Sequence, residues 1–230
     1  MKKYLLLIVA FLLISNLQVF SQTPMFTAVE VKVKNFTQDN IAKEFDKVFE
    51  GVKMNKGAVV LQRFRSGNQN GRTHRIVFLS TLGTKLMEEG AINPDKNSVF
   101  WARMGNYVED WGPAYHGRVL SRTNLDTTKY KFVHIWDIKV QNPNQYKEAH
   151  DNIVKTFQNE FEGRGAAFGT YDIGKPNGAT HWVALWGKDV EDHLQLYDAL
   201  EKSAKFYDLI QSRGVVEDIK DFTLEVIRRK

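Results

Sequence analysis

Hydrophobic and polar positions alternate with a period of two over residues 26–34. Val29, Val31 and Val33 share one side and Glu30, Lys32 and Lys34 the other, which predicts a strand. The period then changes. Ile41, Phe45, Val48, Phe49 and Val52 recur at helical spacing behind Thr37 or Asp39 as a cap, and Gly57 follows the run. Two β-rich runs come next, 58–65 and 73–81, joined through Asn70-Gly71, a dipeptide suited to the positive backbone angles of a tight hairpin. A helical region interrupted by Gly90 and Asn93-Pro94, and a strand at 115–121, complete the unit.

The same order then returns. A strand ending in Trp136, Ile138 and Val140 leads to a helix capped by Asn142, with Pro143 in its first turn and Tyr146, Ala149, Ile153, Phe157 and Phe161 on its buried side. Runs 166–173 and 180–187 flank Asn177-Gly178, a helix spans Val190 to Ile210 and can end at Gly214, and a strand covers 222–228. Individual residues repeat as well: Glu30-Val31-Lys32-Val33-Lys34-Asn35 returns 107 residues later as Asp137-Ile138-Lys139-Val140-Gln141-Asn142, and Asn70-Gly71-Arg72-Thr73-His74 as Asn177-Gly178-Ala179-Thr180-His181. Collinear matches at one offset point to duplication of a unit of roughly one hundred residues, an ordinary domain size. The expected layout is a leader at 1–21, a first unit at 22–121, a linker at 122–129 and a second unit at 130–230.

Strand, helix, strand, strand, helix, strand, read twice, is the ferredoxin-like split βαβ order, so the fold class is α+β with two tandem ferredoxin-like units. A four-stranded sheet with helices on a single face leaves its other face bare, and two such units can cover each other. In this layout the chain resembles the dimeric α+β barrel superfamily, with both protomers fused in one chain. The resemblance covers residues 25–230 as topology and carries no signature residue. It implies a single-chain barrel, a monomer with internal pseudo-twofold symmetry. Superfamily members include cofactor-free monooxygenases, small isomerases, lactone-forming enzymes and haem-binding degradases. Fold does not choose among them.

The chain's start adds a compartment. Lys2 and Lys3 precede an apolar run from Tyr4 to Ile14, and small side chains stand at the positions minus three and minus one of a cut after Ser21. Ser15, Asn16 and Gln18 break the run too early for a membrane span, so a cleavable signal peptide and a secreted or periplasmic protein are expected. Losing two lysines lowers the formal charge from +5 to +3, and no run of five like charges occurs, which argues against nucleic-acid or membrane partners and leaves a small molecule as the expected one. The absence of cysteine excludes disulfide frameworks, thiolate metal sites and cysteine nucleophiles. No H-E-x-x-H, phosphate loop, G-x-S-x-G or dinucleotide glycine fingerprint is present.

The candidate chemistry comes from strand faces. Counting outward from Asn177-Gly178 as a two-residue turn puts His181, Asp172 and Thr170 on one face, with Asp137 and Lys139 of the neighbouring strand nearby. That mixed face is expected to look into the barrel, with His181 as general acid or base, Asp172 orienting it, and Asp137 and Lys139 binding ligand. Tyr171, Trp182, Ala184 and Trp186 are expected on the helix side. In the first unit Arg63, Arg65, Arg72 and His74 share a hairpin face that can hold a carboxylate or phosphate, or serve as a cationic interaction surface; Arg75 points the other way. The alternative is a solvated hairpin tip whose arginines keep a strand edge soluble. No motif implies a cofactor or a metal. Haem is the runner-up, with His134 or His150 as axial ligand. Aromatics from Phe100 to Tyr115 can cover a cavity mouth or fill the seam between the units.

Overall fold

The computed structural model describes residues 22–67 and 70–230, so the expected leader lies outside the described residues. The first half contains strand β1 (Pro24–Val33), helix α1 (Gln38–Val48), strands β2 (Ala58–Ser66) and β3 (His74–Thr81), helix α2 (Pro94–Tyr107) and strand β4 (Val108–Arg122). The second contains β5 (Phe132–Val140), α3 (Pro143–Thr156), β6 (Ala166–Thr170), β7 (His181–Gly187), α4 (Val190–Glu201), α5 (Ala204–Gln211) and β8 (Val216–Arg229). The closing strands are longer than the alternation indicates, and the last helical stretch is two helices. Asn93 caps α2 by accepting from the Asp95 backbone, with Pro94 in the first turn, so the residues that interrupt that helical pattern start a helix instead.

All eight strands form one closed antiparallel barrel in the order β1-β3-β2-β8-β5-β7-β6-β4. Each half contributes the ferredoxin-like order β4-β1-β3-β2 or β8-β5-β7-β6, and the halves meet where β2 pairs with β8 and β6 with β4. The pairings repeat at the 107-residue offset: Glu30 opposes Arg75 as Asp137 opposes Trp182, and Leu61 opposes Ile76 as Phe168 opposes Val183. The turn before the third strand of each half is clasped identically. The Thr73 hydroxyl accepts the Val33 N–H at 2.8 Å, and Thr180 accepts that of Val140 at 3.2 Å.

Helices cover the outside. Ile41, Phe45 and Val48 of α1 and Phe100 and Met104 of α2 pack over Val31, Val33, Val59, Leu61 and Ile76. Phe157, Phe161, Leu196 and Leu200 cover Ala166 and Leu185, and Tyr146 covers Ile138 and Phe168. The alternate residues turn inward: Phe26, Ala28, Val60, Val77, Val133, Ile135, Ala167, Tyr171, Trp182, Ala184, Phe222 and Leu224 make a separate interior cluster. Ala58 to Gln62 is consequently buried on both faces, and its apolar run is continuous.

Trp101 and Trp111 stand 5.7 Å apart at the surface and Phe100 packs under α1, whereas Tyr115 meets Tyr171 of the second half at 6.0 Å, so of these aromatics Tyr115 fills the seam. Among the described residues no helix is long and apolar enough to cross a membrane.

Candidate functional site

The barrel interior holds a partly open cavity of about 380 Å³. Its walls are Phe26, Ala28, Val60, Val77, Leu79, Val119, Ile135, Ala167, Trp182, Ala184, Trp186 and Val226. Arg122 to Leu125, Thr127 and Tyr130, from the segment joining the halves, border one end. Gln62, Arg75 and Tyr171 form a polar floor towards the other. The aromatic side depends on two glycines. A Cβ at Gly169 would lie 2.4 Å from the Trp182 ring, and one at Gly165 2.6 Å from that of Trp186, so both indoles occupy space that side chains would fill.

The floor follows from the barrel register. Glu30 lies opposite Arg75, Arg75 opposite Gln62, and Asp137 opposite Trp182, so four polar residues sit at one level of three inward-facing strand positions in each half. Arg75 Nε donates to Gln62 Oε1 at 2.6 Å, and the Tyr171 hydroxyl donates to Asp137 Oδ1 at 2.7 Å. Both carboxyls are buried, Glu30 at 6% and Asp137 at 2% exposed. Burial pushes Glu30 up to about 7, with Arg75 pulling it down and Asp137 adding repulsion. Asp137 rises to about 6 for the same first reason, moderated by the Tyr171 hydrogen bond and Arg75. Burial raises the Tyr171 phenol and lowers Arg75, a loss that Tyr171 and the two acids make up only in part. The site therefore holds a fixed cation, two acids that titrate near neutrality, and a phenol joining one of those acids to the cavity.

The expected site residues divide differently. Asp137 does face the interior, whereas Lys139 lies outside, 3.6 Å from Glu217. His181 is buried on the helix side, its ring stacked 5.3 Å from Phe168 and its Nδ1 2.8 Å from the Thr180 hydroxyl. Burial lowers its affinity for a proton, against the attraction of Asp172. Asp172 is held by Arg118 through two hydrogen bonds of 2.9 Å. His181 and Asp172 share the outer face and do not line the cavity. The expectation that their face looks inward is corrected, as is the placement of Tyr171, Trp182, Ala184 and Trp186 against helices.

The correction has two sources. The connection between β6 and β7 runs through 171–180, and Thr170, not Gly174, opposes His181; the slip is an even number of residues, so the shared face survives. Asn177 and Gly178 do take positive φ angles, 50° and 83°, but inside that longer connection. Against β5, Ile138 opposes His181 and Asp137 opposes Trp182, one residue away from the expected grouping, and that odd step exchanges faces. Arg63, Arg65, Arg72 and His74 do gather on one hairpin, outside the barrel.

Sequence reasoning left out Glu30, Gln62, Arg75 and Tyr171. Their signal was present in the pairs Ala28–Glu30, Val60–Gln62 and Val77–Arg75, each two residues apart on one strand, and in the acid kept at the offset as Glu30 and Asp137. For haem the donor set does not fit this cavity, because no histidine lines it. His134 Nδ1 lies 2.9 Å from His193 Nε2 beneath α4, and His150 lies beside Asp151 and Phe168 beneath α3. His193 is buried there as well. Among the described residues no group of three His, Asp or Glu side chains is placed to hold a metal ion.

Comparison with solved structures agrees on the architecture. The chain superimposes on a proposed monooxygenase from Lactobacillus acidophilus NCFM with a TM-score of 0.62 and 13% identity, over 90% of this chain and 96% of that one. A proposed monooxygenase from Fusobacterium nucleatum subsp. nucleatum gives 0.62 and 16%, over 92% and 95%. An anthrone oxidase-like protein gives 0.52 and 10%, over 92% and 94%. The fold is that of the dimeric α+β barrel proteins. No family profile matches the sequence, and no curated protein does.

Proposed function

We propose that this chain is an exported single-chain α+β barrel that takes a small, largely apolar molecule into its interior, with the guest's polar or anionic group against Arg75, Gln62 and Tyr171. The observation that carries this reading is the polar floor of Gln62, Arg75 and Tyr171 in a cavity whose walls are mostly aromatic and aliphatic, with Arg229 and the segment from Arg122 to Thr127 adding polar groups elsewhere in the lining. A group of that kind is oriented by the guanidinium, and an acidic C–H or phenol O–H beside Tyr171 has Asp137 one hydroxyl away as proton acceptor. An acid with a pKa of about 6 is mostly ionised at pH 7 yet still basic enough to accept a proton. The reading thus extends to cofactor-independent proton-transfer or oxygenase chemistry, with Asp137 as base, Tyr171 as relay and Arg75 stabilising developing negative charge. The neighbouring proposed monooxygenases and anthrone oxidase-like protein agree with that chemistry at the level of fold.

The binding test uses 8-anilinonaphthalene-1-sulfonate, an aromatic anion, read by energy transfer from Trp182 and Trp186. One saturable site per chain, abolished in Val77→Phe with the far-UV spectrum unchanged, is expected. Binding that persists in that variant overturns the cavity as the site. The catalytic extension is tested by dioxygen uptake with anthrone and no added cofactor: uptake that falls at least about tenfold in Tyr171→Phe supports it, and uptake equal to a protein-free control reduces the protein to a carrier. Export is tested on protein recovered from its own host, with Gln22 as the expected first residue; an intact Met1 removes that part. We also read the shared offset as the trace of duplication within one gene.

A further inference from the structure

The β2–β3 hairpin carries a second cavity, of about 270 Å³, bordered by Gln38, Arg63, Arg65, Arg72, Thr73 and His74. It is separate from the barrel interior, since Gln62 and Arg75 turn inward from these strands while Arg63 and His74, paired across them, turn outward. Three guanidiniums meet two carboxylates here. Glu225 Oε2 accepts from Arg63 Nη2 at 2.8 Å and also from Arg65, and Asp110 Oδ2 accepts from Arg72 at 2.5 Å. One positive charge is left over.

Two buried nitrogens at this site lack a hydrogen-bond partner, Arg63 Nε and His74 Nε2. His74 is 1% exposed, so water does not serve its ring freely, and a buried donor left unmet is costly. The tautomer follows from its neighbour. The Thr73 hydroxyl lies 3.0 Å from His74 Nδ1, with a longer 3.4 Å alternative at the Val31 carbonyl; donating to Nδ1 leaves the ring proton on Nε2. Burial, and Arg63 nearby, keep the imidazole neutral by lowering its pKa to about 4. Gln38 opens α1, whose preceding Thr37 spends its hydroxyl on the Lys34 carbonyl and does not cap the helix, so the positive end of the helix dipole adds to the field.

We propose that this hairpin cavity is an oxyanion site that takes the carboxylate of a small organic acid, met by Arg63 Nε–H and His74 Nε2–H and balanced by the surplus guanidinium charge. A monocarboxylate matches that single excess charge. The second half has no counterpart: Thr170, Asp172 and Ala179 stand where Arg63, Arg65 and Arg72 stand here.

The test is an NMR titration of the mature chain with acetate and, separately, inorganic phosphate, following the Arg63 Nε–H and the His74 ring. Saturable shifts with acetate that weaken about tenfold in Arg65→Gln are expected for the loss of the surplus guanidinium charge that balances the anion. His74→Gln, which keeps a donor near the same place, is expected to bind more weakly than the parent and more tightly than His74→Leu. Phosphate binding about tenfold tighter than acetate would overturn the carboxylate assignment. Shifts that fail to saturate with either anion, or that are unchanged in Arg65→Gln, would overturn the site itself.

Discussion

The two halves share one backbone plan and divide the chemistry between them. At equivalent inward positions the first half places Gln62 and Arg75, and the second places Gly169 and Trp182. A long polar pair thus faces a deleted side chain and the indole that fills its space. On the outer face the same threonine and histidine recur, yet the first half surrounds His74 with arginines and the second ties the acid near His181, Asp172, to Arg118. What both halves retain is the Thr73 or Thr180 clasp and an inward acid, Glu30 or Asp137. The clasp closes the turn, and the acids have a position set by register, so repetition there reports architecture; the divergence falls where the proposed guest would be met.

Removing the cation from the floor is expected to break this arrangement most. Arg75→Leu leaves Gln62 without its donor and removes the largest counter-charge of two buried carboxyls, which keep only Lys220 and, for Glu30, Arg72, at a cost of about 3–5 kcal/mol in urea unfolding at pH 8. At pH 5, where both acids are protonated, the loss should shrink; an equal loss at both pH values would uncouple Arg75 from the acids. The acids themselves give the next effect. Their folded pKa values stand above the unfolded ones, so the native state binds more protons and stability falls as pH rises from about 4.5 to 7 for Glu30. Subtracting the Glu30→Gln stability curve from the parent's should expose a decline of roughly 3 kcal/mol across that window. A flat difference would mean that Glu30 is not desolvated.

The aromatic side should respond next. Gly169→Ala forces a Cβ against the Trp182 ring and the Arg118 carbonyl, so a loss of about 2 kcal/mol is expected, together with weaker binding of the naphthalene probe. The corresponding change Gln62→Ala in the first half creates no clash and should alter probe orientation more than stability. The smallest effect belongs to Asp172→Ala. Its partner Arg118 is half-exposed, so less than about 1 kcal/mol should be lost in thermal unfolding and cavity binding should not change. A marked loss of binding would return Asp172 and His181 to the site.

Much of the architecture could be read from the chain because the same plan is written in it twice, once in each half. Strand and helix order, the matching registers and the arginine-bearing hairpin all follow from alternation and the common offset. Which face looks inward could not be read the same way. In a closed barrel wrapped by helices both faces of a strand are covered, so Phe132, Val133, Ile135 and Trp136 are apolar without declaring a side. Period-two alternation says which residues are companions. It does not say where they look, and a one-residue slip between β5 and β7 then moved Trp182 and Tyr171 to the wrong layer. Polar residues among apolar companions, as in Val60–Gln62 and Val77–Arg75, were the informative anomaly, since a cavity floor is where such a residue can be both enclosed and satisfied.

The covalent segment between the halves, 123–131, has a stereochemical consequence. A barrel assembled from two identical chains must present every enclosed guest with two equivalent orientations related by its axis. Here Gln62 and Arg75 stand in the first half where Gly169 and Trp182 stand in the second, so a planar guest bound as proposed would show the same face to Tyr171 in every molecule. Any new bond made or broken on that guest would then have a single handedness.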